Sequence, residues 1–302
     1  MKPVPAQSST TRHSPLATRH VLFIAGEETH PPGTHEAMAT LRLLAHCMQE
    51  SEDLPPLRTL VLEEWPTGKN DEFERTLAEA DSVVFLGDLF PLLKLPESGQ
   101  SAAHAQLDRA IRNGLSLVCL HYANATRGPH PLLEWAGGYW VMRTARTDGN
   151  CETDIHRTTP NHPVSRGWDT FHVRDEIYYG FQFGDGGIEA AVMRGVTPIL
   201  HAMLPQDAPN KEVVGWAFER GDGGRAFMAY VTHYFENWKI DPLRTMTLNG
   251  IAWASGLDIP PHGVRIRLPH DLSVFSPKTA QPNSQGGLRP QSWSSVIGDQ
   301  RH

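Results

Sequence analysis

A chain of 302 residues with 39% apolar side chains is long enough to bury about three quarters of its unfolded surface, so its core needs no covalent staples. A net charge of −7 without any run of Lys and Arg excludes an electrostatic nucleic-acid interface, and three cysteines (Cys47, Cys119, Cys151) exclude a disulfide framework. No stretch approaches ~20 consecutive apolar residues, so no membrane span is expected. The N-terminal residues carry no apolar signal-peptide core, and a cytoplasmic location is the expectation.

Residues 1–18 and 273–302 are rich in Pro, Ser, Gly and Gln without periodicity, and read as disordered tails around one domain at 19–272. Within that domain the first half alternates. The run 20–26 (HVLFIAG) is continuously apolar, as in a strand buried on both faces. The segment 36–50 places Met38, Leu41, Ala45 and Met48 on one helical face. Strands follow at 57–63, 82–88 and 115–121. Between them lie helices at 70–80, where Phe73 and Leu77 pair, and at 101–114, which Gly114 stops. This βαβαβαβ order predicts an α/β fold with a mostly parallel sheet and helices on both sides.

The second half changes character. Strands are expected around 152–156, 197–202, 213–220 and 225–232, the last two forming a hairpin across Gly221-Asp222-Gly223-Gly224. A closing helix is expected with Asp241 as N-cap, Pro242 in its first turn and Gly256 as its stop.

Ligands of such sheets sit beyond the carboxyl ends of the strands. Three of those exits carry histidine. The loop GEETHPPGTHE after the first strand holds His30 and His35; LVCLHYAN ends the fourth at His121; VTHYFENW leaves the hairpin at His233. Three imidazoles with a nearby carboxylate suit a zinc-type site or an acid–base cluster. The carboxylate comes from the adjacent pair Asp175-Glu176. Neighbours in extended chain point opposite ways, so Glu176 is assigned to the crevice and Asp175 to the backbone or to Arg166. His35 equally suits a residue that only starts a helix, and the remaining histidines, His30 and His162 among them, read as solvated or locally bonded. Cys119 reads as a small buried hydrophobe, and Trp140, Trp216 and Trp253 as packing residues. The absence of GxGxxG after the first strand, and of GxxxxGK[ST], argues against a nucleotide cofactor.

Taken in order, GEETHPPGTHEA, GLSLVCLHYA, HPVSRGWDTFHVRDEIYY, VVGWAFERGDGGRAF and THYFENWKIDPLRTMTLNGIAWASGLDIP resemble the ThuA-like (trehalose utilisation) family over residues 21–260. The resemblance implies a flavodoxin-like three-layer sandwich similar to class I glutamine amidotransferases, with His121 on the turn where those enzymes carry a nucleophilic cysteine. It also implies sugar catabolism: hydrolysis, elimination or isomerisation of a disaccharide or keto-sugar. The expected machinery is His121, Glu176 and His233 as acid–base groups, or His35, His121 and His233 as ligands of a divalent metal, zinc first. Tyr178, Glu236, Asn237 and Trp238 would orient the sugar. The alternative is a non-catalytic carbohydrate-binding module on an inactive amidotransferase scaffold. The expected partner is a small sugar, and a homo-oligomer is compatible with the scaffold.

Overall fold

The computed structural model describes residues 18–26, 28, 30–68, 70–87, 97–126, 131–141 and 145–278. Residues 1–17 and 279–302, most of the two expected tails, lie outside the described residues. The first half contains β1 (Arg19–Ala25), α1 (Ala37–Glu50), β2 (Leu57–Leu62), α2 (Asp71–Glu79), β3 (Ser82–Leu86), α3 (Glu97–Arg112) and β4 (Ser116–Leu120). Short pieces follow: β5 (Ala125–Thr126), α4 (Leu132–Ala136), β6 (Trp140–Val141) and β7 (Ala145–Arg146). The second half runs β8 (Cys151–Arg157), β9 (Phe171–Asp175), β10 (Tyr178–Tyr179), α5 (Gly187–Met193), β11 (Val196–Leu204), β12 (Asn210–Glu219), β13 (Arg225–Ala229) and α6 (Asp241–Ala254).

Among the described residues, one nine-stranded sheet has the order β2-β1-β3-β4-β13-β12-β11-β8-β9. The strands β2, β1, β3, β4 and β13 run parallel, and β12, β11, β8 and β9 extend them antiparallel. The expected hairpin is present, with Glu219 opposite Arg225, and its strand β12 opens a four-strand antiparallel wing. The strand of that wing not expected from the sequence is β9, along which buried and exposed residues alternate.

Alternation along each central strand divides the core. Val21, Phe23, Val84, Val118 and Phe227 pack on one side with Leu41, Leu44, Met246 and Ile251 of α1 and α6. Leu22, Ile24, Val83, Phe85, Leu117 and Met228 pack on the other with Phe73, Leu77, Leu107 and Ile111 of α2 and α3. Strands covered on both faces carry few polar positions, Ser82 and Ser116 standing at the starts of β3 and β4, which is why they read as apolar runs. The result is a three-layer sandwich.

The order reverses between β1 and β3, which places the crevice of a doubly wound sheet at their carboxyl ends. There the backbones almost touch: Gly26 N–H donates to Leu86 O at 2.7 Å, and a Cβ on Gly87 would stand 2.3 Å from Gly26 Cα. In α6, Asp241 is the first helical residue rather than the cap, and its carboxylate pairs with Arg244. Residues 273–278, assigned to the tail by composition, are folded. A short 3-10 turn, Leu272–Phe275, buries Leu272 and Phe275, and Lys278 reaches the His30–His35 loop.

Candidate functional site

Three parallel strands, β1, β4 and β13, deliver three imidazoles to one point. His35 closes the loop after β1, His121 follows β4 directly, and His233 follows β13. His35 and His121 have φ of 45° and 49°, a left-handed conformation that costs a non-glycine residue about 1–3 kcal/mol. The sharp turn at His121 lifts its ring off the strand end and over the crevice. Cys119, two residues earlier, stays inside the sheet fully buried, and burial pushes its thiol far above the ordinary range. It is not available as a nucleophile.

The loops that carry His35 and His233 are tied together through their backbones. His35 N–H donates to His233 O at 2.9 Å, Phe235 N–H to Gly33 O at 3.1 Å, and Thr34 bridges Tyr234. Glu176 enters from the link between β9 and β10. Asp175, fully buried beside it, accepts the N–H of Glu176 at 2.8 Å, the N–H of His233 at 3.0 Å and Asn237 Nδ2 at 3.0 Å. The opposed directions expected of the carboxylate pair are therefore observed. Asp175 braces two segments of the site through backbone; Arg166 instead donates to Ile259 O.

The four inward atoms converge. His35 Nε2 lies 3.0 Å from His121 Nε2, and His233 Nδ1 lies 3.4 Å from His121 Nε2. Glu176 Oε2 lies 3.4, 3.7 and 3.9 Å from the nitrogens of His233, His121 and His35. All four atoms fall within 4.8 Å of one another, and all four residues are buried. A four-coordinate ion with ligand bonds of roughly 2.0–2.2 Å holds its ligand atoms roughly 3.3–3.6 Å apart, so the spacing and the donor chemistry fit a divalent cation. A proton fits less well. His121 Nε2 faces two other ring nitrogens, and one hydrogen on it can serve only one of those contacts.

The ionisable groups of the cluster shift one another. Burial drives the Glu176 carboxyl upward, but hydrogen bonds from His233 and His35, the charge of His121 and the Tyr178 hydroxyl outweigh it and hold the group ionised. Burial lowers His233 against the opposing pull of Glu176. Burial pushes Asp175 up to about 7. Tyr178 is raised by burial and by Glu176, so it keeps its proton and donates to Glu176 Oε2 at 2.8 Å.

One residue of the site, Arg146, went unnoticed in the sequence, and Trp140, expected only to pack, supports it. Arg146 sits opposite Tyr178 in the β7–β10 pair and donates to Glu176 Oε1 while its side chain remains 54% exposed. Trp140 Nε1 holds that pair in place through Ala145 O and Tyr179 O, at 2.9 and 3.2 Å. No local pattern marks a two-residue strand, so only the pairing reveals Arg146. His30 stacks on His35 with ring centroids 3.8 Å apart, and it shares the loop whose second histidine drew attention.

Three expected sugar contacts are placed elsewhere. Trp238 is fully buried, its Nε1 bonded to Thr40 Oγ1, because a short 3-10 turn folds its ring onto α1. Glu236 is exposed on that turn and pairs with Lys239. Asn237 is committed to Asp175 and to Arg174 O. Tyr178 alone of the four touches the cluster.

The family model described as ThuA, trehalose utilisation, matches residues 22–254. A chain described as ThuA-like from Bacteroides uniformis superposes with a TM-score of 0.58 at 12% identity, over 82% of this chain and 96% of that one. Agd3, a carbohydrate deacetylase, gives 0.51 at 10% identity, over 79% of this chain and 32% of that one, so this chain spans about a third of it. A glutamine amidotransferase from Thermotoga maritima gives 0.40 at 14% identity, over 79% and 96%. At such identities the first two likenesses concern the fold alone. No curated protein matches the chain.

Proposed function

The chain belongs to the ThuA family, and from that premise we propose that it is a carbohydrate-processing enzyme working at a divalent metal held by His35, His121, His233 and Glu176. The observation that carries this reading is the convergence of four buried ligand atoms within 4.8 Å. The family's description, trehalose utilisation, supports a carbohydrate substrate, and a disaccharide or its keto form is the substrate this reading assigns. When bound, the metal would draw electrons from a sugar carbonyl or hydroxyl oxygen and acidify the neighbouring bond, a start common to hydrolysis, elimination and isomerisation.

The protein's own groups divide the remaining work. Glu176 places Oε2 3.4–3.9 Å from all three imidazole nitrogens, so it acts as a ligand. Tyr178 fixes Glu176 Oε2 and Arg146 fixes Oε1, which sets the carboxylate plane. The Arg146 side chain is half exposed, and its remaining donors suit a carbonyl or carboxylate oxygen of the sugar. Tyr122, Trp140 and Tyr178, with ring centroids 4.6–6.0 Å apart, form an aromatic wall that limits water on one flank.

Metal analysis tests the reading. Purified untagged protein, offered zinc, manganese, iron and cobalt in turn, should retain about one equivalent of one of them, and His121→Ala and His233→Ala should not. Less than a tenth of an equivalent of every metal in the wild type would end it.

A further inference from the structure

We propose that Lys278 is a positioning residue of this site, and that the segment from Leu272 to Lys278 is a strap holding the His30–His35 loop in ligand geometry. The strap is anchored first on α1. Leu272 and Phe275 are buried, the Phe275 ring tilts against His46 at 5.4 Å, and Phe275 O accepts from Arg42 at 3.4 Å. Asp271 caps the 3-10 turn by accepting the Ser273 N–H at 2.8 Å. Ser276, at φ 57°, then turns the chain toward the loop.

Lys278 meets the loop at both its backbone and its side chain. Its N–H donates to Glu36 Oε2 at 2.6 Å, while Glu36 Oε1 accepts the Gly33 N–H at 2.6 Å, so one buried carboxylate joins strap and loop. Its ammonium donates to His30 O and Thr34 O at 3.0 Å and lies 3.4 Å from His35 O. An ammonium has three N–H donors and no acceptor, and here it finds three carbonyls. Those carbonyls face one point because the loop turns through left-handed φ at Gly33 and His35, 92° and 45°. Three like dipoles aimed together repel one another, and a cation among them offsets that repulsion. The His233 segment holds the loop from one side; Lys278 holds it from the other. The residue so fixed, His35, supplies one of the four ligand atoms, and His30 stacks on it. Lys278 therefore acts on the metal through His35, without touching it.

The proposal rests on the metal reading for its consequence but not for its geometry, and the test separates the two. Full-length Lys278→Met keeps the length of the side chain and removes its charge and donors; Lys278→Arg keeps both. Hydrogen exchange of the metal-free proteins should show residues 30–36 exchanging at least tenfold faster in Lys278→Met, with β1, β4 and α6 unchanged and Lys278→Arg close to wild type. Chelator competition should show at least tenfold weaker metal binding in Lys278→Met, restored in large part by Lys278→Arg. Wild-type exchange rates over 30–36 in Lys278→Met would overturn the strap, whatever the metal result. A wild type that binds no metal would overturn the metal reading and leave the exchange result to decide the strap.

Discussion

His35 Nε2 and His121 Nε2 lie 3.0 Å apart, although 86 positions separate the residues in the chain. Each stands in a left-handed backbone conformation. Two buried imidazoles brought to contact by two strained turns would be a poor bargain for a folded core alone. Strain of this kind persists where surrounding structure enforces it, and it gathers at functional sites.

That strain can be measured. In metal-free protein His121→Asn should be as stable as the wild type or more stable by up to ~1 kcal/mol, because Asn tolerates the left-handed region and the crowding of ring nitrogens is relieved. The same variant should lose metal binding. Denaturant unfolding in the presence of chelator checks the first outcome and metal analysis the second. A loss of more than ~2 kcal/mol would mean the His121 ring is a structural core group.

Glu176 is oriented by Tyr178 and Arg146. Partners that orient a ligand typically matter 10–100-fold in affinity or activity. Tyr178→Phe and Arg146→Gln should each weaken metal binding or turnover within about that range. Their unfolding free energies should stay within about 1 kcal/mol of wild type, since Arg146 is half exposed and Phe keeps the aromatic wall. Full activity in both variants would remove them from the site.

Trp238 and Glu236 distinguish packing from sugar contact. Trp238→Ala should cost about 3–5 kcal/mol of stability, the usual penalty for emptying a core aromatic site. Glu236→Gln, on an exposed ion pair, should leave stability and turnover unchanged. A selective rise in KM with unchanged stability in either variant would restore a substrate role.

Much of this architecture was legible in the sequence. The parallel strands announced themselves because burial on both faces leaves few polar positions, and the His-bearing exits followed from where a parallel sheet binds ligands. Strand geometry leaves one carboxylate of the Asp175-Glu176 pair for the crevice, and the favoured Glu176 is the one beside the imidazoles. What failed was local reading of VTHYFENW. Trp238 looks like a sugar platform beside His233, yet a 3-10 turn rotates it into the core, and no periodicity signals so short a turn. Arg146 was invisible for the same reason. Its role depends on pairing with Tyr178, 32 positions away, in strands of two residues each. Lys278 was hidden by composition, since a Pro/Ser-rich stretch carries no sign that two apolar residues will anchor it.

His162 predicts a pH effect on stability away from the metal. Its Nδ1 accepts the Val164 N–H at 3.2 Å, its ring packs against Trp253, and burial with Arg225 and Arg166 lowers its pKa to about 4. The unfolded chain takes up this proton near the ordinary value of 6.5, before the folded chain does. The stability it contributes is therefore complete above about pH 6.5 and is lost as pH falls toward 4. His162→Asn, which keeps an acceptor and does not titrate, should flatten the stability profile over that window relative to wild type. An unchanged slope in denaturation series from pH 7 to 4.5 would show that the ring is not held neutral.

The most direct test of the central claim is anomalous diffraction at the metal absorption edge, from crystals of untagged protein loaded with the cation it retains. The account predicts one strong peak among the four side chains, roughly 2.0–2.2 Å from His35 Nε2, His121 Nε2, His233 Nδ1 and Glu176 Oε2. A peak bound by other residues, or none among these four in crystals grown with zinc, manganese, iron or cobalt, would contradict it.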